Sequence, residues 1–197
     1  MIVLLCEFNG RSPLMPALAD NGWGRMWASY GPAWSYDGEP WGFDNGAWSA
    51  YRKKEDLNID QWLRRMVKAA DAAPHPPCVA VVPDIVAGGV ESLQFSLTMN
   101  HWCRVGWPWF LAVQDGMCAA DVRPHLNRFA GLFLGGSNGF KRQAGEWCKL
   151  AHDNGLRFHF GRCNREPWIE DAIRIGADSI DTSRPVRCAV GGQGGYF

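Results

Sequence analysis

The feature of this sequence that most restricts its fold is the alternation that sets in at residue 78. Short apolar runs at 78–83, 109–113, 131–134, 157–160 and 179–181 each give way to polar residues or glycine, and stretches of helical spacing separate them. Residues 91–104 carry Leu93, Leu97 and Trp102, and residues 139–154 carry Phe140, Ala144, Trp147 and Ala151 before Asn154-Gly155. Residues 166–175 open on Glu166-Pro167, turn Trp168, Ile169, Ala172 and Ile173 inward, and stop at Gly176. Proline just inside a start and glycine just past an end are ordinary helix punctuation. Strand and helix alternating in this way imply parallel strands joined by right-handed crossovers.

The first half adds a strand at 2–7, another at 41–43, and a helix over 60–72 with Trp62, Leu63, Met66, Val67 and Ala70 on one stripe. These strands approach the eight of a small (β/α)8 TIM-like barrel, possible in irregular form, and no repeat or low-complexity linker divides the chain. The expectation is one α/β barrel domain over residues 1–197. The segment 9–40, rich in Gly, Pro, Trp and Ser, either hides a strand or forms a long loop over the barrel mouth.

Composition narrows the functional classes. Lys plus Arg and Asp plus Glu are 20 each, so no global basic field holds a polyanion, and nucleic-acid binding has to use local patches. The amino terminus has neither a basic leader nor a long apolar run, so no signal peptide or membrane anchor is expected. The seven cysteines are odd in number and scattered, which reads as reduced thiols in a cytoplasm. Cys148 and His152 are four apart on a predicted helix, with Cys163 beyond. A buried thiol beside a surface imidazole accounts for them better than a metal site, and no metal is expected. A phosphate loop and a dinucleotide fingerprint are both missing, so no nucleotide or redox cofactor is expected.

In a barrel of this kind the chemistry sits at the carboxyl ends of the strands. Those ends supply Asp44, Asp84, Gln114-Asp115, Gly135-Gly136, the segment 159–161 and Asp181. A lone strand-end Asp is ordinarily a helix cap or turn former. Convergence of several carboxylates, an amide and a glycine pair on one face is not what those roles produce. The set suits transfer at a glycosidic carbon. One carboxylate attacks the anomeric centre, and a second protonates the leaving group and later deprotonates the incoming one. The remaining carboxylate, amide and backbone N–H groups match the edge of guanine.

These strand-end segments resemble the tRNA-guanine transglycosylase superfamily. They are closest in character to its small DNA-acting branch, the 7-deazaguanine DNA transglycosylases of phages and bacterial modification islands. The resemblance runs from about residue 41 to 187. Residues 42–48 (Gly-Phe-Asp-Asn-Gly-Ala-Trp) resemble the family's Asp-Ser-Gly-Gly-aromatic segment, which implies Asp44 as general acid/base and Trp48 as the ring that stacks on the base. Val82-Pro83-Asp84 implies a guanine-reading Asp84, and residues 112–116 (Ala-Val-Gln-Asp-Gly) imply Gln114 on O6. Residues 133–136 imply Gly135 and Gly136 as backbone donors to the same oxygen. Residues 176–181 (Gly-Ala-Asp-Ser-Ile-Asp) imply Asp181, rather than Asp178, as nucleophile. Phe160, before Gly161, takes the place of the apolar residue that covers the other face of the base.

The resemblance implies a pentosyltransferase that replaces guanine in DNA with a free 7-deazaguanine such as the 7-cyano form, through a covalent Asp-glycosyl intermediate. The target base is extruded and sandwiched by Trp48 and Phe160. Expected phosphate contacts are Arg184 and Arg187, then Lys141 and Arg142, with Arg52-Lys53-Lys54 as a further basic run. The zinc motif of the tRNA enzymes is missing from this chain, which favours DNA over tRNA. Asn45 and Ala47 replace Ser and Gly near the base pocket. Alternatives are the same exchange on tRNA, a non-catalytic nucleic-acid-binding paralogue, and an unrelated barrel glycosidase.

Overall fold

A computed structural model describes residues 1–6, 20–27, 39–103 and 106–185. Eight strands close into a parallel barrel in chain order: β1 (Ile2–Leu5), β2 (Gly24–Trp27), β3 (Trp41–Phe43), β4 (Val79–Val81), β5 (Trp109–Val113), β6 (Gly131–Leu134), β7 (Arg157–Phe160) and β8 (Ser179–Thr182). β8 returns to β1 with Leu4 opposite Asp181, which completes the ring. The helices are α1 (Ala47–Lys53), α2 (Ile59–Ala72), α3 (Gly89–Met99), α4 (Ala119–Val122), α5 (Ala144–Asp153) and α6 (Glu166–Arg174). The chain is thus the (β/α)8 barrel expected of the alternation. The strand within 9–40 is β2, invisible to pattern reading because only four residues form it between Gly- and Pro-rich stretches. α1, directly after the Asp44 segment, was also unanticipated.

Residue parity sorts the strands into two layers. On β5, Trp109, Leu111 and Val113 face the helices, while Phe110 and Ala112 face the barrel axis with Leu4, Met26, Val79 and Val81. Gly42 and Gly131 sit in that inner layer because it is full. A Cβ on Gly42 would run into Met26 and Leu4, and one on Gly131 into the Phe110 ring. The outer layer holds much of the tryptophan. Trp41, Trp62, Trp107 and Trp109 pack with Phe43 at centroid separations of 5.1 to 6.5 Å, mostly edge-on or tilted, locking α2 against β3 to β5. α2 presents Trp62, Met66 and Ala69 to this cluster, and Asn58 caps it by accepting the Gln61 N–H at 2.8 Å. No helix among the described residues is long and apolar enough to cross a membrane.

Asp178 and Asp181 lie at opposite ends of β8. Asp178 accepts the Phe158 N–H at 2.7 Å and pairs with His152 at 3.0 Å, a clasp between α5 and the start of β7 and β8. Cys148 is buried and hydrogen-bonds the Ile175 carbonyl at 3.3 Å. The described residues include no cluster of three or more His, Cys, Asp or Glu side chains placed to hold a metal ion.

Candidate active site

The loops at the carboxyl ends of β3 to β8 form the site. Asp181 enters it from β8 on the inward parity and is 3% exposed. Its Oδ1 accepts from His159 Nε2 at 2.9 Å and from the Arg162 backbone N–H at 2.9 Å, and Oδ2 accepts from the Cys6 thiol at 3.1 Å. Burial pushes this carboxyl up, but the hydrogen bond and charge of His159, with the Cys6 and Arg162 donors, hold it below the ordinary range. Asp181 is an ionised carboxylate at neutral pH.

Asp44 stands at the end of β3, just before Gly46 at φ 86, a left-handed value that suits glycine and turns the chain into α1. Desolvation, reinforced by the negative charge of Asp181, raises the Asp44 carboxyl to about 6. Its own donors are weak: Gly46 N–H reaches it at 3.4 Å. The neighbouring Asn45 is fully used in construction. Its amide donates to Asp84 Oδ1 at 2.7 Å and to the Val82 carbonyl at 2.8 Å, and its oxygen accepts the Ala47 N–H at 2.8 Å. Asn45 thereby ties the β3 and β4 ends together.

Asp84 is raised to about 6 by desolvation, offset by the Asn45 hydrogen bond and increased by the charge of Asp44. Gln114 lies behind it, 2% exposed. The Gln114 amide nitrogen faces Asp84 Oδ2 (3.1 Å), the Ile85 carbonyl (2.9 Å) and Ser92 Oγ (2.7 Å), and its oxygen accepts the Ala87 N–H at 2.7 Å. Both amide hydrogens are occupied, so in this conformation Gln114 orients Asp84 and the 85–87 turn instead of offering a donor to a ligand. The Gly135 N–H is likewise taken, bonding the Val113 carbonyl at 2.9 Å. Gly136, at φ 74, packs against the Asp115 carboxylate, which accepts both the N–H and hydroxyl of Ser137 at 2.6 Å.

Arg162 is the hub of the site. It adopts φ 53, two residues beyond β7, so that its backbone N–H points at Asp181 while its side chain crosses the mouth. The guanidinium donates to the Gly136 carbonyl at 2.6 Å and lies over the Trp48 ring, 4.0 Å from its centroid. Its charge acts on Asp181, Asp44, Asp84 and Asp115 together, so one cation serves four carboxylates. Trp48 is 38% exposed on α1 and stacks on Tyr51 at 5.7 Å.

Two expected residues fall elsewhere. Phe160 is wholly buried and belongs to the outer layer, beside Phe158 and Trp168 under α6. It faces away from the barrel axis because His159, one residue earlier, takes the inward position. Lys141 is 3% exposed, and its ammonium donates to the Gly161 carbonyl at 2.6 Å. Burial, together with the Arg162 charge, pushes it down to about 8. It braces the loop after β7 and is not a surface phosphate contact. Arg142 is exposed, Arg184 pairs with Glu166 at 3.3 Å, and Arg187 lies outside the described residues. Arg52, Lys53 and Lys54 are exposed at the end of α1.

Sequence reading placed His159 at a strand end without giving it a role, and singled out neither Arg162 nor Cys6. For His159 a signal existed: between outward Phe158 and Phe160, a polar residue has to point inward. Arg162 and Cys6 carried none, because a backbone at positive φ and a contact across 175 positions leave no local trace.

The fold and these side chains define a parallel α/β barrel with a carboxylate-lined mouth crossed by one arginine. No protein-family model and no curated protein matches the chain. Among solved structures, a chain of the tryptophan synthase a2b2 complex from Pyrococcus furiosus is similar at 13% identity, with 79% of each chain covered and a TM-score of 0.41.

Proposed function

We propose that this protein is a base-exchange transglycosylase, which replaces guanine in DNA with a free 7-deazaguanine through a glycosyl ester on Asp181. One observation carries the reading: two buried carboxylates of one mouth have opposite surroundings, Asp181 accepting from His159, the Arg162 N–H and Cys6, and Asp44 meeting the Gly46 N–H at 3.4 Å, so that the first is held low and the second is raised to about 6. Environments that push two carboxyls apart assign one as nucleophile and the other as acid and base.

The target nucleotide leaves the stack, which costs a few kcal/mol in a duplex and less in a single strand. Its base stacks on Trp48, and the Arg162 guanidinium, now over that ring, moves aside. Asp84 accepts from N1–H and the 2-amino group. Asp181 bonds C1′ as the C1′–N9 bond breaks, and protonated Asp44 gives its proton to the departing guanine. A 7-deazaguanine then enters, Asp44 removes its N9 proton, and N9 displaces Asp181 with net retention at C1′. Arg142, Arg184 and the exposed run Arg52-Lys53-Lys54 at the end of α1 are cations available to phosphates at the rim.

The test is an exchange assay with labelled guanine on single-stranded DNA, duplex DNA and tRNA, followed by a denaturing gel for a DNA–protein adduct. DNA labelling, with an adduct lost in Asp181→Asn, is expected. Labelling of tRNA alone would move the activity to RNA. Base release into water without exchange would make the protein a hydrolase, and full activity in Asp181→Asn would remove the nucleophile assignment.

A further inference from the structure

We infer that His159 is a positioning residue that selects which oxygen of Asp181 bonds the sugar: its Nε2–H engages Oδ1 and leaves Oδ2 as the attacking atom. The inference rests on the transglycosylase reading for the identity of the electrophile, but its geometry is independent of it.

Oδ1 carries two nitrogen donors, His159 Nε2 at 2.9 Å and the Arg162 backbone N–H at 2.9 Å. Oδ2 receives, among the described residues, one thiol at 3.1 Å, from Cys6. A thiol is a weak donor, so the electron density left for bond formation is on Oδ2. The imidazole is fixed on every side. It is wholly buried, stacked on Phe133 at 4.7 Å with 12° between planes, and its Nδ1 lies 2.8 Å from Ser179 Oγ. The register explains the reach. His159 is paired with Ser179, and Ser179 and Asp181 are two apart on β8, so one ring spans both inward side chains. The Ser179 hydroxyl both donates and accepts, so Nε2 keeps its proton whether the ring is neutral or charged.

The electrons follow this arrangement. As the Oδ2–C1′ bond forms and C1′–N9 breaks, the pair from the glycosidic bond leaves on the base, which takes the Asp44 proton. When the second base attacks, the C1′–Oδ2 pair returns to the carboxylate, and the two N–H groups on Oδ1 stabilise the charge as it reappears. Hydrogen bonds that hold metal ligands from behind are worth about 10–100-fold in function, and the same order is expected for a carboxylate nucleophile held in this way. Among the described residues, the other ionisable groups acting on Asp181 are Cys6 beyond β1, Asp44 beyond β3, Lys141 before α5, and Arg162 and Cys163 beyond β7. All remain in a His159 variant, so a changed pH response belongs to His159.

The experiment has two arms. In the first, nitrogen-15 NMR of the histidine rings reads the His159 tautomer in the intact protein. Protonated Nε2 is expected, with a changed ring signal in Asp181→Asn. A neutral ring protonated on Nδ1, or a signal indifferent to Asp181→Asn, overturns the inference. In the second, the rate of adduct formation is followed against pH. His159→Leu is expected to slow it about 10–100-fold and move the acidic limb upward, and His159→Gln, which keeps an N–H, to restore the limb. Equal limbs in all three proteins overturn the inference. Should His159→Leu fail to fold, Ser179→Ala replaces it, with a slower adduct expected and an unchanged rate overturning the inference. If the parent protein forms no adduct on any nucleic acid, transglycosylation falls, and the ring signal alone decides the His159–Asp181 coupling.

Discussion

The Arg162 guanidinium lies 4.0 Å from the centroid of the Trp48 ring, on a side chain that also bonds the Gly136 carbonyl. A cation over an indole face is favourable by roughly 0.5–2 kcal/mol, and here the same cation offsets Asp181, Asp44, Asp84 and Asp115. That contact is comparable in strength to stacking a base on the same ring, so exchange of one for the other is nearly balanced.

Arg162→Ala removes the shared cation. The Asp44, Asp84 and Asp181 carboxyls all rise, and the acidic limb of the pH–rate profile moves upward. Loss of the charge that offsets these carboxylates is expected to cost about 10²–10³-fold in turnover. Arg162→Lys keeps a charge but loses the planar fork, and is expected to recover only part of the rate. Steady-state kinetics from pH 4 to 9 read both effects, and a parental profile in Arg162→Ala would contradict the assignment.

Asp44→Asn separates function from stability. The Asp44 carboxyl is raised from 3.8 to about 6 in the fold, so its contribution is fully present below pH 3.8 and is lost as pH rises through about 6. At pH 8 the ionised carboxylate strains the mouth, and the neutral amide relieves it. The expected gain is about 1–3 kcal/mol, the upper value corresponding to the whole shift before solvent screening at the rim. Exchange should meanwhile fall by about 10²–10⁴-fold. Thermal melts at pH 4 and pH 8 check the sign: the variant gains on the parent only at the higher pH.

For Asp181 the sign reverses. Its carboxyl is held below the ordinary range, so its contribution is present above the unfolded value and is lost as pH falls through the folded one. With Asp44 active as an acid only while protonated, and Asp84 accepting both N–H groups of the base only while ionised, the first chemical step should run fastest around pH 6 and fall on either side. Single-turnover release of guanine against pH measures this, and a rate still rising above pH 8 would exclude Asp44 as the proton donor.

Trp48 and Phe160 should behave oppositely. Phe160→Ala opens a void under α6 and costs about 3–5 kcal/mol of stability, with little effect on the affinity of folded protein for the free base. Trp48→Ala removes a 38% exposed ring, so folding changes little while base binding weakens by about 1–3 kcal/mol. Denaturant melts and calorimetric titration of the base distinguish the two, and weakened binding in stable Phe160→Ala protein would restore that ring to the site.

The barrel was legible because its signals are local. β5, β6 and β7 stand where their apolar runs predict, and helix ends coincide with Asn154-Gly155 and Gly176. β2 escaped because a four-residue strand between glycine- and proline-rich segments has too few positions to show a period. Strand ends in turn placed Asp44, Asp84, Gln114 and Asp181 at one end of the barrel.

Which face of a strand each side chain takes, and what it meets there, depended on contacts between distant segments. The amino-acid order alone determined the alternation, and hence a parallel barrel with carboxylates at one rim, because periodicity and turn chemistry act over a few neighbouring residues. Closure of the ring decided the rest: His159 inward and Phe160 outward, Lys141 buried against Gly161, Gln114 spent on Asp84, and Arg162 across Trp48. Those outcomes turn on electrostatics and packing between residues tens of positions apart, and only the folded chain brings them together.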